Sequence, residues 1–147
     1  TQLRNLSGKA LEFSSPTARG RRPNAGYGGF FWRGSRDLTK AKIMIDGLDD
    51  AKGDESEVMG KAGKWCAISG PLDGRDTPIT MLLIDQPNNP RYPNKWFVRV
   101  ADFPAASFAF MFDEVYTLND GETLALTYKI AIIDGAWSRD EIGAFVG

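Results

Sequence analysis

The apolar positions of this chain come in short bursts, alternating or continuous, separated by turn-forming residues. Thr1–Asn5 and Lys9–Phe13 alternate with the two-residue period of strands and are joined through Ser7-Gly8. Phe30–Arg33 and Lys42–Ile45 read as two further short strands. Lys64–Ser69 and Ile79–Ile84 are apolar runs rich in β-formers, with Gly70-Pro71 and Asp73-Gly74 between them. A rigid polar loop, Asp85–Asn94, then leads into Trp96–Val98, which resumes the sheet. Ser107–Phe112 and Glu114–Thr117 also lean towards β-structure. Asn119-Asp120-Gly121 signals a hairpin into one long strand, Thr123–Ile133, whose Leu124, Leu126, Tyr128, Ile130 and Ile132 make a fully apolar side. Only the end reads as helix: Ser138 and Glu141 fit a capping box, and Ile142, Phe145 and Val146 form one apolar stripe. Many short strands with no long helix between them predict an all-β fold, an antiparallel β-sandwich with one short C-terminal helix.

Composition narrows the chemistry. At 147 residues the chain is one domain's worth, and residues 1–147 are expected to form a single sandwich. No apolar run is long enough to span a bilayer, so no membrane partner is expected. A formal charge of −1 gives no general pull towards nucleic acid. The single Cys66 lies in an apolar strand pattern and reads as a buried, reduced thiol, which fits the cytoplasm. Thr1 in place of Met suggests a processed or trimmed end, with upstream signals outside the sequence. The absence of histidine matters most. It excludes an internal Ser-His-Asp or Cys-His arrangement and disfavours zinc, copper and non-haem iron, so no metal and no cofactor are expected. Catalysis is left to carboxylates, Tyr, Lys and Arg.

The proline loop carries the densest candidate chemistry. Pro87, Pro90 and Pro93 recur at every third residue, the repeat of a polyproline II segment. On that rigid frame Asp85, Gln86, Asn88 and Arg91 offer the mixed donors and acceptors that a sugar or other small polar ligand needs. Trp96 is the candidate to stack on a sugar face, and Asn24, Tyr27 and Arg33 are expected to line the same cleft. For an enzyme, Asp85 is the general acid or base with Tyr92 as its partner. The plainer alternative is a stiff connector whose amides cap turns and whose Arg91 pairs with a carboxylate; flanking strands disfavour a PxxP ligand. Arginines 19, 21, 22, 33 and 36 interleave with aromatics as in single-strand binders, but core aromatics with solvated arginines account for them better. The acidic stretch Asp46–Glu57 lacks the EF-hand spacing and reads as solvated rather than calcium-binding. Thr1 as a self-processed nucleophile has no adjacent base in view.

Three stretches carry a family resemblance: SSPTARGRRPNAGYGGFFWRG at Ser14–Gly34, SGPLDGRDTPITMLLIDQPNNPRYPNKWFVR at Ser69–Arg99, and GETLALTYKIAIIDG at Gly121–Gly135. Together they resemble the bacterial "methane oxygenase PmoA-like" proteins, a family of unknown function. The resemblance implies a β-rich fold, a sandwich of the sugar-mutarotase kind. Such proteins are about twice this length, so the chain would correspond to a C-terminal half, with an upstream half or second chain as partner. Gln86 and Tyr92 stand where the family commonly has histidine, which removes residues an oxygenase would use. Association of such proteins with sugar dehydrogenases and isomerases implies a carbohydrate role. The leading expectation is therefore a carbohydrate-handling or carbohydrate-binding module. The alternative is a non-catalytic module that completes a sheet or oligomer with another chain, and an oxygenase-related role comes third.

Overall fold

The computed structural model describes residues 1–49 and 54–147. Its strands are β1 (Gln2–Arg4), β2 (Leu11–Phe13), β3 (Phe31–Arg33), β4 (Lys42–Ile45), β5 (Trp65–Gly70) and β6 (Ile79–Asp85). They continue with β7 (Trp96–Arg99), β8 (Ala105–Phe108), β9 (Tyr116–Leu118), β10 (Thr123–Ala125) and β11 (Tyr128–Asp134). Two helices, α1 (Glu55–Val58) and α2 (Arg139–Val146), complete the described residues with a 3-10 turn at Arg36–Leu38. Every strand pairing is antiparallel.

A four-stranded sheet ordered β11-β6-β5-β4 packs on a three-stranded sheet ordered β3-β8-β7. Between them Ile43, Ile45, Cys66, Ile68, Met81 and Leu83 meet Trp96, Val98, Ala106 and Phe108. The sandwich is thus a two-layer stack around one main core. The outer face of the larger sheet is also covered. Met44, Trp65, Ala67, Leu82 and Ile84 lie beneath Ile142 of α2, with Trp137 and Val146 at the edge. Double coverage explains why β5 and β6 are continuous apolar runs rather than alternating ones. The α2 start has both halves of the capping box, Ser138 and Glu141, and Ile142 is fully buried. Phe145 departs from the expected stripe; it is exposed and rests edge-on against Trp137.

The non-local pairings differ from the sequence expectation. The turn at Asn119–Glu122 forms, with the Glu122 amide donating to the Asn119 carbonyl at 3.1 Å. Its arms do not pair with each other. β10 pairs with β1 and β9 with β2, so the N-terminal segment runs alongside both as one interrupted ribbon. Asn5 holds the interruption: its backbone bonds Glu122 and Gly121, and its buried amide donates to Lys9 and Leu118 carbonyls. The long strand Thr123–Ile133 also divides, at Leu126-Thr127. There Asn89 replaces a neighbouring strand, donating to the Thr127 carbonyl at 2.6 Å and accepting its amide at 2.7 Å. Beyond the break, Ile130 and Ile132 of the supposed apolar side are exposed.

A single helical turn, α1, was not legible in the sequence. It opens inside the acidic stretch Asp46–Glu57, with Asp54 as its N-cap. Residues 50–53 of that stretch lie outside the described residues. Among the described residues no three carboxylate or thiol groups gather as metal ligands, and no helix is long and apolar enough to cross a membrane.

Candidate functional site

Asp85, the expected general acid or base, is built into the fold. It is 2% exposed at the end of β6. One carboxylate oxygen accepts the Gln86 amide at 2.9 Å and the Asn89 side chain at 2.7 Å; the other accepts the Asn94 amide at 2.8 Å. With both oxygens held by fixed N–H donors and the side chain buried, Asp85 pins the proline loop. Arg91 is committed in the same way. It adopts φ 62°, and its guanidinium donates to the carbonyls of Phe110, Glu114 and Val115 at 2.7 to 2.9 Å. The expected stacking of Trp96 on a sugar is overturned: the side chain is fully buried, and its indole donates to the Gly63 carbonyl at 2.9 Å. Gln86 and Tyr92 do line one hollow with Asp85, about 370 Å³, together with Lys64, Lys129 and the end of α2. Asn88 is exposed on the loop.

The other predicted residues lie elsewhere. Ile84, beside the Gln86–Tyr92 hollow, belongs to the outer face of the four-stranded sheet. Tyr27 lies against Phe97, which points out of the three-stranded sheet because its neighbours Trp96 and Val98 point into the core. The two halves of the expected cleft are therefore on opposite outer faces of the sandwich. Asn24 borders a groove next to the Tyr27 cleft, with Arg99 common to both. Arg33 stacks on Phe103, 4.3 Å from the ring centre, and Phe103 is a wall of that cleft. Of the three, Tyr27 lines the cleft, Asn24 and Arg33 lie beside it, and the proline loop is absent from it.

What they surround is a cleft of about 410 Å³ on the outer face of the three-stranded sheet, lined by Arg22, Ala25, Tyr27, Phe31, Phe97, Arg99, Asp102 and Phe103. The sheet register creates it. Phe31 and Phe97 both stand opposite Ser107, and Arg33 and Arg99 both stand opposite Ala105. Small residues on the central strand let the flanking side chains converge over it. The Phe31 and Phe97 rings approach to 6.0 Å, and Tyr27 meets Phe97 edge-on at 5.6 Å. Gly29 makes this placement possible. It has φ 69°, and a side chain there would collide with the Phe108 carbonyl, so only glycine lets the chain deliver Phe30 and Phe31 here. Arg99 is held by Glu55 at 3.2 Å, and the other Glu55 oxygen accepts the Val100 and Ala101 amides at 2.7 and 2.9 Å. Burial against Phe97 and an ion pair fix the guanidinium before any ligand arrives.

Phe31, Arg99, Asp102 and Phe103 were missed as site residues. A signal was present: Phe31-Trp32-Arg33 and Phe97-Val98-Arg99 repeat the pattern Phe-x-Arg on two strands. In a strand that spacing puts Phe and Arg on one face. A half-buried phenol and a buried thiol away from the cleft titrate abnormally. Burial pushes the Tyr128 phenol up to about 12, with the Asp85 charge adding to the shift. Burial alone pushes the Cys66 thiol up.

The profile of a family of unknown function, DUF6807, matches residues 1–146, so the chain belongs to that family. No curated protein and no solved structure matches the chain.

Proposed function

We propose that the chain is a carbohydrate-binding module whose ligand lies on the outer face of the three-stranded sheet. The observation that carries this reading is the pairing of exposed rings with fixed polar groups. Tyr27 and Phe31 remain 47% and 44% exposed at the rim of a cleft that also holds Arg22, Arg99 and Asp102. A pyranose has an apolar C–H face and an equatorial rim of hydroxyls. Exposed rings accept the first, while a guanidinium and a carboxylate take neighbouring hydroxyls in pairs. Arg22 and Arg99 are balanced by Asp102 and Glu55, which suits a neutral ligand better than a strongly acidic one. The test is calorimetric titration with a panel of neutral hexoses and their methyl glycosides. Tyr27→Ala and Asp102→Ala should each weaken binding about tenfold, the loss expected for one aromatic or charge-assisted contact. Parent-like affinity in both variants would remove the site.

A second reading rests on a separate observation, the free edge of β11. This strand ends the four-stranded sheet, and Ile130 and Ile132 are 42% and 71% exposed. A long apolar edge is a template for strand addition. A second copy related by a two-fold axis at Ala131 would place Ile130 opposite Ile132 and continue the sheet. Sedimentation of the parent and of Ile132→Lys tests it: a dimer converted to monomer supports the reading, and a monomeric parent ends it.

A further inference from the structure

Phe31 forms a wall of two hollows. Besides the polar cleft, it lines a groove of about 450 Å³ at the β3 edge, between that strand and the β1-β10 ribbon. The groove is bounded by Leu3, Phe13, Phe30, Phe110, Met111 and Leu126, with Tyr128 in its wall. Its lining is mostly apolar, with Thr1 at one end bonded through its amino group to the Leu126 carbonyl, whereas the polar cleft carries Arg22, Arg99 and Asp102. The Tyr128 hydroxyl approaches the Phe30 backbone without reaching hydrogen-bond geometry. Leu3, Phe30 and Phe31 all remain more than a third exposed, so the rim of the groove is open to solvent, and Phe31 is the residue it has in common with the cleft. This accounts for a feature that the sugar cleft leaves unexplained. Phe30 is exposed yet lines only the apolar groove, with its ring packed on Phe108 and Tyr128.

We infer that the ligand is amphipathic, a glycoside whose sugar occupies the Tyr27–Arg99 cleft and whose apolar aglycone crosses Phe31 into the groove. This inference rests on the carbohydrate reading and specifies its ligand class. A cavity of about 150 Å³ lined by aliphatic and aromatic groups is enough to hold benzene, so the groove has room for an aryl ring or a short alkyl chain. The join matters as much as the room. Because one ring serves both hollows, the glycosidic oxygen would sit over Phe31, and sugar and aglycone would be bound without a solvent gap between them. An apolar body with a few placed polar contacts at one end is the usual make-up of a small-molecule site.

The experiment compares methyl, phenyl and hexyl glycosides of one sugar by calorimetry, below the micellar range, on the intact chain. The phenyl and hexyl compounds should bind about tenfold tighter than the methyl compound, in proportion to the apolar surface they bury. Leu3→Asp, at the exposed rim of the groove, should abolish that gain and leave methyl-glycoside affinity unchanged, which also shows that the variant is folded. Asp102→Ala should weaken all three alike. Equal affinity for the three glycosides would overturn the inference and leave the sugar cleft standing. Phenol binding as tightly as the phenyl glycoside would also overturn it, because the two hollows would then not act together. If no glycoside binds at any concentration tested, the carbohydrate reading itself fails, and this inference with it.

Discussion

At the scale of single residues, the chain places its most reactive-looking groups in structural roles. Asp85 was legible as a special residue, since a carboxylate at a strand end before a proline loop stands out. Its task was not legible, because it depends on Asn89 and Asn94 folding back on it and on Thr127, 38 residues beyond Asn89. Asn89→Ala would leave the Thr127 amide and carbonyl without their Asn89 partner and take one of two donors from an Asp85 oxygen, and should cost about 2–3 kcal/mol in urea denaturation. A loss under about 0.5 kcal/mol would show that water replaces the amide freely. Trp96 illustrates the same limit. An indole after a loop looks like a platform, and only the facing sheet shows that it is core. The abnormal groups give a pH prediction. The Tyr128 phenol and the Cys66 thiol are both harder to ionise in the fold than in the open chain. Their contribution to stability is therefore complete below the ordinary values, roughly 10 for the phenol and roughly 8.5 for the thiol, and is lost as pH rises towards the folded values. Above the carboxylate range, unfolding free energy should be level up to about pH 8 and decline beyond it. Tyr128→Phe should flatten the part of the decline above about pH 10, with Cys66→Ala flattening the earlier part.

At the scale of elements, local signals were readable and distant partners were not. The capping box of α2 was plain because Ser138 and Glu141 are three residues apart and satisfy each other. Their bonds from the Ser138 backbone and hydroxyl also hold the exposed Glu141 carboxyl below its usual range. Ser138→Ala should cost about 1 kcal/mol, read as a lower melting temperature. Ile142→Ala, which opens a hole above Leu82 and Ile84, should cost about 2–5 kcal/mol. If Ile142→Ala proved the milder of the two, α2 would not be packed as described. The strands β4, β5 and β6 were found almost to the residue, since a continuous apolar run between turn residues needs no knowledge of its neighbours. The hairpin at Asn119–Gly121 was misread for the opposite reason. Its turn is encoded locally, but the choice of β1 and β2 as partners is made by a segment more than a hundred residues earlier, and nothing in the turn announces it.

At the scale of the molecule, the sandwich separates what the sequence suggested was one cleft. The proline loop faces outward beside the four-stranded sheet, and Tyr27 lies on the other outer face with Phe31, Phe97 and Arg99. The candidate site was half legible: Tyr27, Asn24 and Arg33 were picked for their chemistry, while Arg99 and Phe97 became visible only once β7 and β3 were aligned across β8. The most direct measurement is amide chemical-shift mapping on the isotope-labelled chain, titrated with the tightest sugar of the hexose panel. Binding at the Tyr27–Arg99 cleft should concentrate the shifts at residues 22–33 and 97–103 and leave those at 85–92 unchanged. Shifts centred on Gln86 and Tyr92 instead would put the ligand on the opposite face and contradict it.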